Sequence, residues 1–243
     1  QGKNVLYITL EMAEEWIAAK IDSNLLNVSA DDLVNLPKDI YDRKVEKIRA
    51  QTPGKLIIKE YPTASAGVGH FRHLLNELHL KKNFVPDTLI VDYINICASS
   101  RIRSGSNLNQ YAYIKSVAEE LRGLAVEANV PLLSATQVNR EGYKNSDFGM
   151  ESVAESWGLP ATVDLLLAMI STEELEELNQ IMIKQLKNRH SDSRANKRFV
   201  IGIDRAKMRF FDCEQAAQED LINEEDINTN NKSEKKDFSE LIV

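Results

Sequence analysis

Apolar, β-rich runs alternate with stretches of helical periodicity along most of the chain, and this order limits the possible folds more than any other feature. When a helix separates two strands, the second strand usually returns parallel to the first, with the helix packed on one face of the sheet. The later strands follow one another without helices between them. The sequence therefore predicts an α/β fold with a mostly parallel sheet, helices on both faces and antiparallel strands at the C-terminal edge.

The predicted elements come from two periodicities. Strands are apolar runs bounded by turn residues, and helices carry apolar residues at a spacing of three or four. The predicted strands cover 5–10, 55–60, 88–93, 130–136, 162–170, 178–186, 198–204 and 208–212. The predicted helices cover 13–27, 37–50, 67–80 and 109–128.

The charge of the chain is unevenly distributed. The net charge is −7, and residues 212–243 account for all of it, with 10 acidic and 3 basic side chains. Such a segment has little to bury, so residues 1–212 are predicted to form one domain and 213–243 an acidic, disordered tail. Within the neutral body, residues 184–209 carry nine basic and two acidic side chains. This segment either attracts phosphates or is a solvated face.

Several classes of protein are excluded by composition. The longest apolar runs fall well below the roughly 20 residues of a membrane-spanning helix. Two cysteines are too few for a disulfide framework, and the first residues do not resemble a secretion signal. We therefore expect a cytoplasmic protein that has no membrane partner.

Polar side chains follow three of the predicted strands at the end where ligands bind in parallel sheets. Glu11 follows the first strand, Asp92 closes the third, and Gln137 follows the fourth. Functional residues of open α/β sheets gather beyond the carboxyl ends of the strands. Carboxylates there can hold Mg²⁺ or activate a water, and an amide can sense a phosphate. The pattern predicts a nucleotide site, although each residue alone is also compatible with an ordinary strand end.

The usual phosphate loop is absent from these residues. The pattern G-x-x-x-x-G-K-[ST] occurs nowhere in the 243 residues. The closest glycine-containing segments, 2–4, 54–56 and 67–70, each lack part of the pattern. Taken alone, the chain therefore has half of a nucleotide site.

Five segments together resemble the DnaB-type hexameric replicative helicases, and the amino-acid sequence is most similar to that of members from T-even-type bacteriophages. They are 5–12 (second conserved strand), 89–94 (Walker B strand), 134–140 (phosphate-sensing strand end), 154–158 with Asp164 (segment near the DNA channel) and 187–189 (Lys-x-Arg pair). The resemblance covers residues 1–211. It implies a RecA-like fold in which the first strand and the Walker A loop would precede residue 1. We therefore expect a C-terminal fragment that is inactive alone.

The resemblance implies a role for each candidate site residue. Glu11 corresponds to the general base that polarises water, Asp92 to the residue that holds Mg²⁺ through water, and Gln137 to the phosphate sensor. Lys187 and Arg189 correspond to the pair that enters the ATP site of the neighbouring subunit. An arginine there stabilises charge on the transferring phosphoryl group. The alternatives are a helix-start carboxylate for Glu11, turn or strand-end residues for Asp92 and Gln137, and a solvated basic edge for the pair.

The expected DNA contacts lie in two segments. Arg101 and Arg103 belong to a loop that faces the central channel in this family, where basic side chains track phosphates without reading sequence. Glu155, Ser156 and Trp157 are similarly placed, although Ala154 stands where the family usually has a basic residue. Trp157 could stack on a base or lie in a subunit interface. A solvated loop is the alternative for 98–107.

The function implied by the resemblance is that of an ATP-dependent helicase motor with Mg²⁺ as cofactor. The intact protein is expected to form a hexameric ring on single-stranded DNA, with a primase and a loader as partners. Two alternatives remain open at this point: a non-catalytic chain that binds DNA or completes a ring, and a RecA-type recombinase ATPase. Residues 187–189 and 155–158 favour the helicase.

Overall fold

The computed structural model describes residues 2–102, 110–137, 158–191 and 197–213. Its strands are β1 Val5–Thr9, β2 Leu56–Glu60, β3 Thr88–Asp92, β4 Leu132–Ser134, β5 Leu165–Ile170, β6 Gln180–Asn188, β7 Arg198–Asp204 and β8 Arg209–Asp212. Its helices are α1 Glu14–Leu26, α2 Ala30–Val34, α3 Lys38–Gln51, α4 Val68–Lys82, α5 Gln110–Ala128, α6 Gly158–Thr162 and α7 Glu173–Glu177. A 3₁₀ turn, Ile94–Ile96, follows β3.

The first four strands form a parallel sheet in the order β2-β1-β3-β4. In the register of this sheet, Thr9 lies opposite both Glu60 and Asp92, so β1, β2 and β3 end at the same level. The predicted parallel α/β architecture is confirmed, and the strand ends that carry Glu11, Asp92 and Gln137 lie at one edge.

Helices α4 and α5 cover one face of this sheet. The alternate residues Leu6 and Ile8 of β1 are in register with Leu89 and Val91 of β3, so they point to the same face. The core on this face consists of buried side chains from both strands and both helices: Leu6, Ile8, Phe71, Leu74, Leu78, Leu89, Val91, Val117, Leu121 and Leu124. On the opposite face, Tyr7, Ile58 and Ile90 are half-buried.

Among the described residues, Phe71 is the largest fully buried side chain, and its truncation should destabilise the fold strongly. We expect Phe71→Ala to lower the free energy of unfolding by about 3–5 kcal/mol, because a cavity replaces a filled space. The control is Leu80→Ala on the same helix, where the side chain is 81% exposed. It should change the unfolding free energy by less than about 0.5 kcal/mol in a urea titration. Equal losses in both variants would contradict this placement of the core.

The last four strands form an antiparallel sheet in the order β5-β6-β7-β8. The predicted antiparallel strands are thus present, but among the described residues they form a sheet of their own and do not continue the parallel one. β4 and β5 are therefore edge strands. Leu133 on β4 and Leu165, Leu167 and Met169 on β5 are about half exposed, which is unusual for strands of this hydrophobicity.

Contacts from α1 and α5 connect the two sheets. The Asn24 side chain donates a hydrogen bond to the Met208 carbonyl, and Arg209 donates one to Asn27 at 3.0 Å. On the other side, Leu159 of α6 is buried in the core beside α5.

The predicted boundaries hold to within about two residues for most elements, with corrections near β4, β5 and β6. The strand predicted at 130–136 is shorter, with only Leu132–Ser134 paired. The strand predicted from Thr162 begins at Leu165, since Thr162 ends α6. The proline of α6 lies within its first turn, where a helix tolerates it. The strand predicted at 178–186 runs instead from Gln180 to Asn188.

No helix in the described part of the chain combines the length and the hydropathy needed to cross a membrane. The predicted tail lies outside the described residues except for Cys213.

Candidate functional site

Asp92 ends β3 on the sheet face opposite α4 and α5. Its Oδ2 accepts a hydrogen bond of 2.6 Å from the Tyr7 hydroxyl, which reaches it from the neighbouring strand. Burial, together with the negative charge and hydrogen bond of Asp92, raises the pKa of Tyr7, so the phenol stays protonated and remains a donor. This hydrogen bond therefore fixes the position of Oδ2 and, with it, the orientation of the whole Asp92 carboxylate, including Oδ1.

The turn that carries Glu11 is fixed by the residue that ends β1. Thr9 is fully buried, and its hydroxyl donates to the Met12 carbonyl at 2.8 Å and accepts from the Met12 amide at 3.1 Å. The Leu10 amide donates to the Asp92 carbonyl at 2.8 Å. Glu11 lies between these two anchors with an exposed side chain. Its carboxylate is thus presented to solvent at the strand edge that carries Asp92.

Asn95 connects the ends of β3 and β4. Its side-chain oxygen accepts hydrogen bonds from the Thr136 hydroxyl at 2.9 Å and from the main-chain N–H of Gln137 at 3.4 Å. The Ile94 amide also donates to the Ala135 carbonyl at 3.2 Å. Gln137 is exposed, so its side chain reaches solvent. Its backbone is hydrogen-bonded to Asn95, which lies three residues after Asp92 at the end of β3.

The donor set at this edge suits a hydrated Mg²⁺ ion. Among the described residues, Asp92 Oδ1 has no hydrogen-bond partner, whereas Oδ2 is engaged by Tyr7. Within the same residues, no three His, Cys, Asp or Glu side chains lie close enough to hold a metal by themselves. Mg²⁺ commonly keeps several waters and binds through one or two carboxylates plus substrate phosphates. One carboxylate with an available oxygen meets that requirement.

Lys187 and Arg189 form a second group, at the end of β6. The Lys187 ammonium donates to the Pro160 carbonyl, and the Arg189 guanidinium donates to the Ala161 carbonyl at 3.0 Å and to Asp164 Oδ1. Asn188 is the last residue of β6, so Arg189 lies just beyond it. Both side chains reach the same segment, 160–164, as two residues on one side of an extended chain should.

Asp164 binds two arginines at once. Its Oδ2 accepts from Arg122 Nη1 at 3.0 Å, and its Oδ1 accepts from Arg189. Its main-chain carbonyl accepts from the Arg189 amide at 2.8 Å. The hydrogen bond from Arg122, followed by the charges of Arg122 and Arg189, lowers the pKa of Asp164, so it is ionised at neutral pH. Among the described residues, no hydrogen bond or ion pair joins this group to Glu11, Asp92 or Gln137.

The loop that follows the 3₁₀ turn is held by two glutamates of α5. Arg101, an expected DNA contact, forms a half-exposed ion pair of 2.9 Å with Glu119. Glu120 is 7% exposed and accepts from the Ser99 hydroxyl at 2.6 Å and from the Ser100 amide and hydroxyl at 2.9 and 2.6 Å. These five residues fix the start of the loop against the helix.

The buried carboxylate of Glu120 gives the fold a specific acid sensitivity. Burial alone would raise its pKa, but the hydrogen bonds from Ser100, Ser99 and Ser116 outweigh it and lower the pKa below its usual value. Because the folded-state pKa lies below the unfolded one, the stabilisation is complete above about pH 4.5 and is lost as the pH falls through the folded-state value.

We therefore expect unfolding of Glu120→Gln to depend less on pH below about pH 4.5 than unfolding of the unmodified chain. The measurement is urea unfolding at a series of pH values. Glu119→Gln, which alters the half-exposed neighbour, is the control and should keep the full dependence. An unchanged pH dependence in Glu120→Gln would contradict this assignment.

The remaining expected DNA contacts, Arg103, Glu155, Ser156 and Trp157, lie outside the described residues. Their roles stay predictions.

Comparison with known proteins identifies the family. The DnaB-like helicase C-terminal domain matches residues 1–190. The chain belongs to this family. The DnaB-like replicative helicase of Enterobacteria phage T4 is 47% identical over 226 residues, covering 92% of this chain and 47% of that protein. A probable plasmid replicative DNA helicase of Chlamydia psittaci is 27% identical over 201 residues, covering 78% of this chain and 41% of that protein. The DnaB-like chain thus spans about half the length of these relatives.

Solved structures agree on the fold. A DnaB-like replicative helicase, described with its interactions with primase, matches 87% of this chain and 51% of its own, with a TM-score of 0.67 and 14% identity. An ATPase domain matches 87% of this chain and 75% of its own, with a TM-score of 0.68 and 14% identity. The RecA-like fold predicted for this DnaB-like domain is confirmed.

Three contact residues could not be identified from the sequence pattern. Tyr7, Asn95 and Glu120 each act through a partner on another strand or loop. Asp164 was named with the segment 154–158, but its contacts with Arg122 and Arg189 were not predicted. The only sequence signal is a polar side chain within or beside an apolar element, and Glu120 within the apolar face of α5 is the clearest case.

Proposed function

We propose that this chain is the motor domain of an ATP-dependent replicative DNA helicase. The observation that supports it most is the arrangement of its site residues in two separate groups. Glu11, Asp92 and Gln137 lie at one edge of the parallel sheet, while Lys187 and Arg189 lie at the end of β6. A site that takes one group from each of two neighbouring subunits hydrolyses ATP only in the assembled ring.

The strand-edge group supplies the hydrolytic half of this site. Asp92, oriented by Tyr7, would hold Mg²⁺ through water, and bound there the ion would supply positive charge to the phosphates. Glu11, exposed beside it, accepts the proton of the attacking water. Gln137 contacts the terminal phosphate, and its backbone link to Asn95 keeps it beside the strand end of Asp92.

The phosphate-binding half comes from outside these residues. Among the described residues, β4 and β5 each pair with a single strand, and both carry half-exposed leucines. A strand supplied by a chain segment outside the 243 residues, with a phosphate loop at its end, would pair with both edges and join the two sheets. The exposed apolar residues of β5 support this placement, because pairing would bury them.

The second group acts on the neighbouring subunit. The planar guanidinium of Arg189 can donate to two phosphoryl oxygens, and Lys187 adds a second positive charge. In the single chain both side chains bind carbonyls of 160–164, and Arg189 also binds Asp164. We propose that in the assembled ring Arg189 can exchange these contacts for the γ-phosphate of the neighbour's ATP.

The DNA side of the motor is the loop 98–107. Arg101 and Arg103 contact the phosphates of single-stranded DNA, and Glu155, Ser156 and Trp157 line the same channel. We further propose a hexameric ring that works with a primase and a loader in the cytoplasm, the host cytoplasm for a phage protein. Residues 1–212 form the motor and 213–243 an acidic tail.

Arg101 offers a direct test of DNA binding. Arg101→Ala should weaken binding of labelled oligothymidylate and reduce the slope of log affinity against log salt by about 1, because one phosphate contact is lost. Arg72→Ala is the matched control, since Arg72 also forms a half-exposed ion pair with a glutamate of α5, Glu127. It should leave the slope unchanged. Equal slopes in all three proteins would remove Arg101 from the DNA site.

The proposed function is tested by unwinding of a forked DNA duplex by the chain extended upstream through a phosphate loop. Strand separation should require hydrolysable ATP and Mg²⁺ and should fail with a non-hydrolysable analogue. Strand separation that proceeds equally with the analogue would contradict a motor function.

A further inference from the structure

One turn of α5 holds both the DNA loop and the segment that binds Arg189. Glu119 and Glu120 bind the loop 98–102, and Arg122, within the same turn, binds Asp164. Residues within a helical turn move together because their backbone hydrogen bonds are shared. The loop and Asp164 are therefore attached to one rigid unit.

The attachment on the loop side is strong. Glu120 is nearly buried, and three hydrogen bonds of 2.6–2.9 Å from Ser99 and Ser100 engage both of its oxygens. Hydrogen bonds to a charged group are roughly twice as strong as neutral ones. The neighbouring pair of Arg101 and Glu119 is half-exposed, so a phosphate can compete for this guanidinium.

The attachment on the other side is equally direct. Arg122 Nη1 donates to the Thr162 carbonyl at 2.8 Å and to Asp164 Oδ2 at 3.0 Å. Asp164 Oδ1 binds the Arg189 guanidinium. One carboxylate thus bridges two arginines, and the rotation of this carboxylate is set by Arg122. A change in the position of Arg122 therefore alters the contact that holds Arg189.

We propose that Arg122 is a positioning residue that couples occupancy of the loop 98–102 by single-stranded DNA to the placement of Arg189. This rests on the proposed function, which takes the loop as the DNA contact and Arg189 as the residue that acts on the neighbour's ATP. A DNA phosphate that binds Arg101 frees Glu119 and shifts the turn 119–122. Arg122 passes that shift to Asp164, and Asp164 loosens its contact with Arg189.

The test is the thermodynamic coupling between DNA and nucleotide in the extended, assembled protein. Affinity for labelled oligothymidylate is measured with and without a saturating non-hydrolysable ATP analogue. Allosteric couplings usually change affinity by roughly 5- to 150-fold, and they are reciprocal between the two ligands. We expect a ratio in this range for the unmodified protein and a ratio close to one for Arg122→Gln, with each separate affinity largely retained.

The controls separate positioning from general damage. Arg72→Gln removes another arginine that is paired with α5 and should keep the full ratio. Asp164→Asn should lower the ratio, and the double variant Arg122→Gln with Asp164→Asn should lower it no further, because both act through one contact. If Arg122→Gln does not fold, as judged by circular dichroism, Arg122→Lys takes its place. It keeps the charge without the planar fork and should also lower the ratio.

The two claims fail in different ways. If the unmodified extended protein shows a clear coupling between DNA and nucleotide and the Arg122 variant keeps that coupling, the coupling role alone is overturned. An unmodified extended protein that is folded and assembled but binds neither ligand overturns the proposed function, and the coupling role with it.

Discussion

Arg189→Ala in the extended, assembled protein should lower DNA-stimulated ATP hydrolysis by about 10³–10⁵-fold, the range found when an arginine that acts on a neighbour's phosphates is removed. Without DNA, nucleotide binding should remain nearly intact, because the phosphate loop and Asp92 lie elsewhere and Arg189 is still held by Asp164. The measurement is steady-state turnover beside equilibrium binding of a fluorescent ATP analogue. The size of the effect follows from charge that develops on phosphoryl oxygens and is otherwise uncompensated.

Two further variants make this result specific. Arg189→Lys keeps a positive charge but cannot donate two parallel hydrogen bonds, so its turnover should also fall. Arg205→Ala, which removes an exposed arginine between β7 and β8, should retain normal turnover. In mixed rings, an Arg189→Ala subunit should inactivate the site of its neighbour and leave its own site functional. Normal turnover in Arg189→Ala would contradict the interface role.

Glu11→Gln should reduce hydrolysis by roughly 10²–10⁴-fold, the usual contribution of a positioned general base. The amide fills the same volume and keeps the turn held by Thr9, but it cannot accept a proton at neutral pH. ATP should therefore bind and remain uncleaved, which a single-turnover experiment detects as retained nucleotide without phosphate release.

Glu15→Gln is the matched control for this variant. Glu15 lies four residues later, in the first turn of α1, and is also exposed. Its substitution should leave hydrolysis unchanged. Undiminished turnover in Glu11→Gln would assign Glu11 to a role in the start of α1 and not to proton transfer.

The sequence predicts the strand-edge group well because its logic is local. An apolar β-run that ends in a carboxylate indicates a strand end, and parallel strands bring their ends together. Asp92 and Glu11 could therefore be placed at one edge before any contact was known. The same reasoning fails at Thr162, where the sequence predicts the start of a strand. Thr162 and Val163 are β-branched and resemble a strand, but Thr162 is the last residue of α6, a helix that buries Leu159 in the core.

The contacts that orient the site could not be predicted in this way. Tyr7 reaches Asp92 across 85 positions of the chain, and Arg122 reaches Asp164 across 42. Periodicity reports which face a residue occupies but not which side chain lies opposite it. The ion pairs of Arg101 and Arg189 within their own chain follow from packing, and they change how both residues must act. In the proposed roles, each exchanges an internal carboxylate for a phosphate.

The central claim is that these residues form a motor domain whose ATP site is completed by a phosphate loop and by a neighbouring subunit. The most direct test measures ATP hydrolysis by the 243-residue chain and by the chain extended upstream through the phosphate loop. Each is assayed with and without single-stranded DNA. Circular dichroism and molecular mass in solution show that each protein is folded and assembled. Hydrolysis only in the extended chain, stimulated by DNA, is the predicted result. A folded, assembled extended chain without hydrolysis would contradict the claim and favour a DNA-binding or ring-completing subunit.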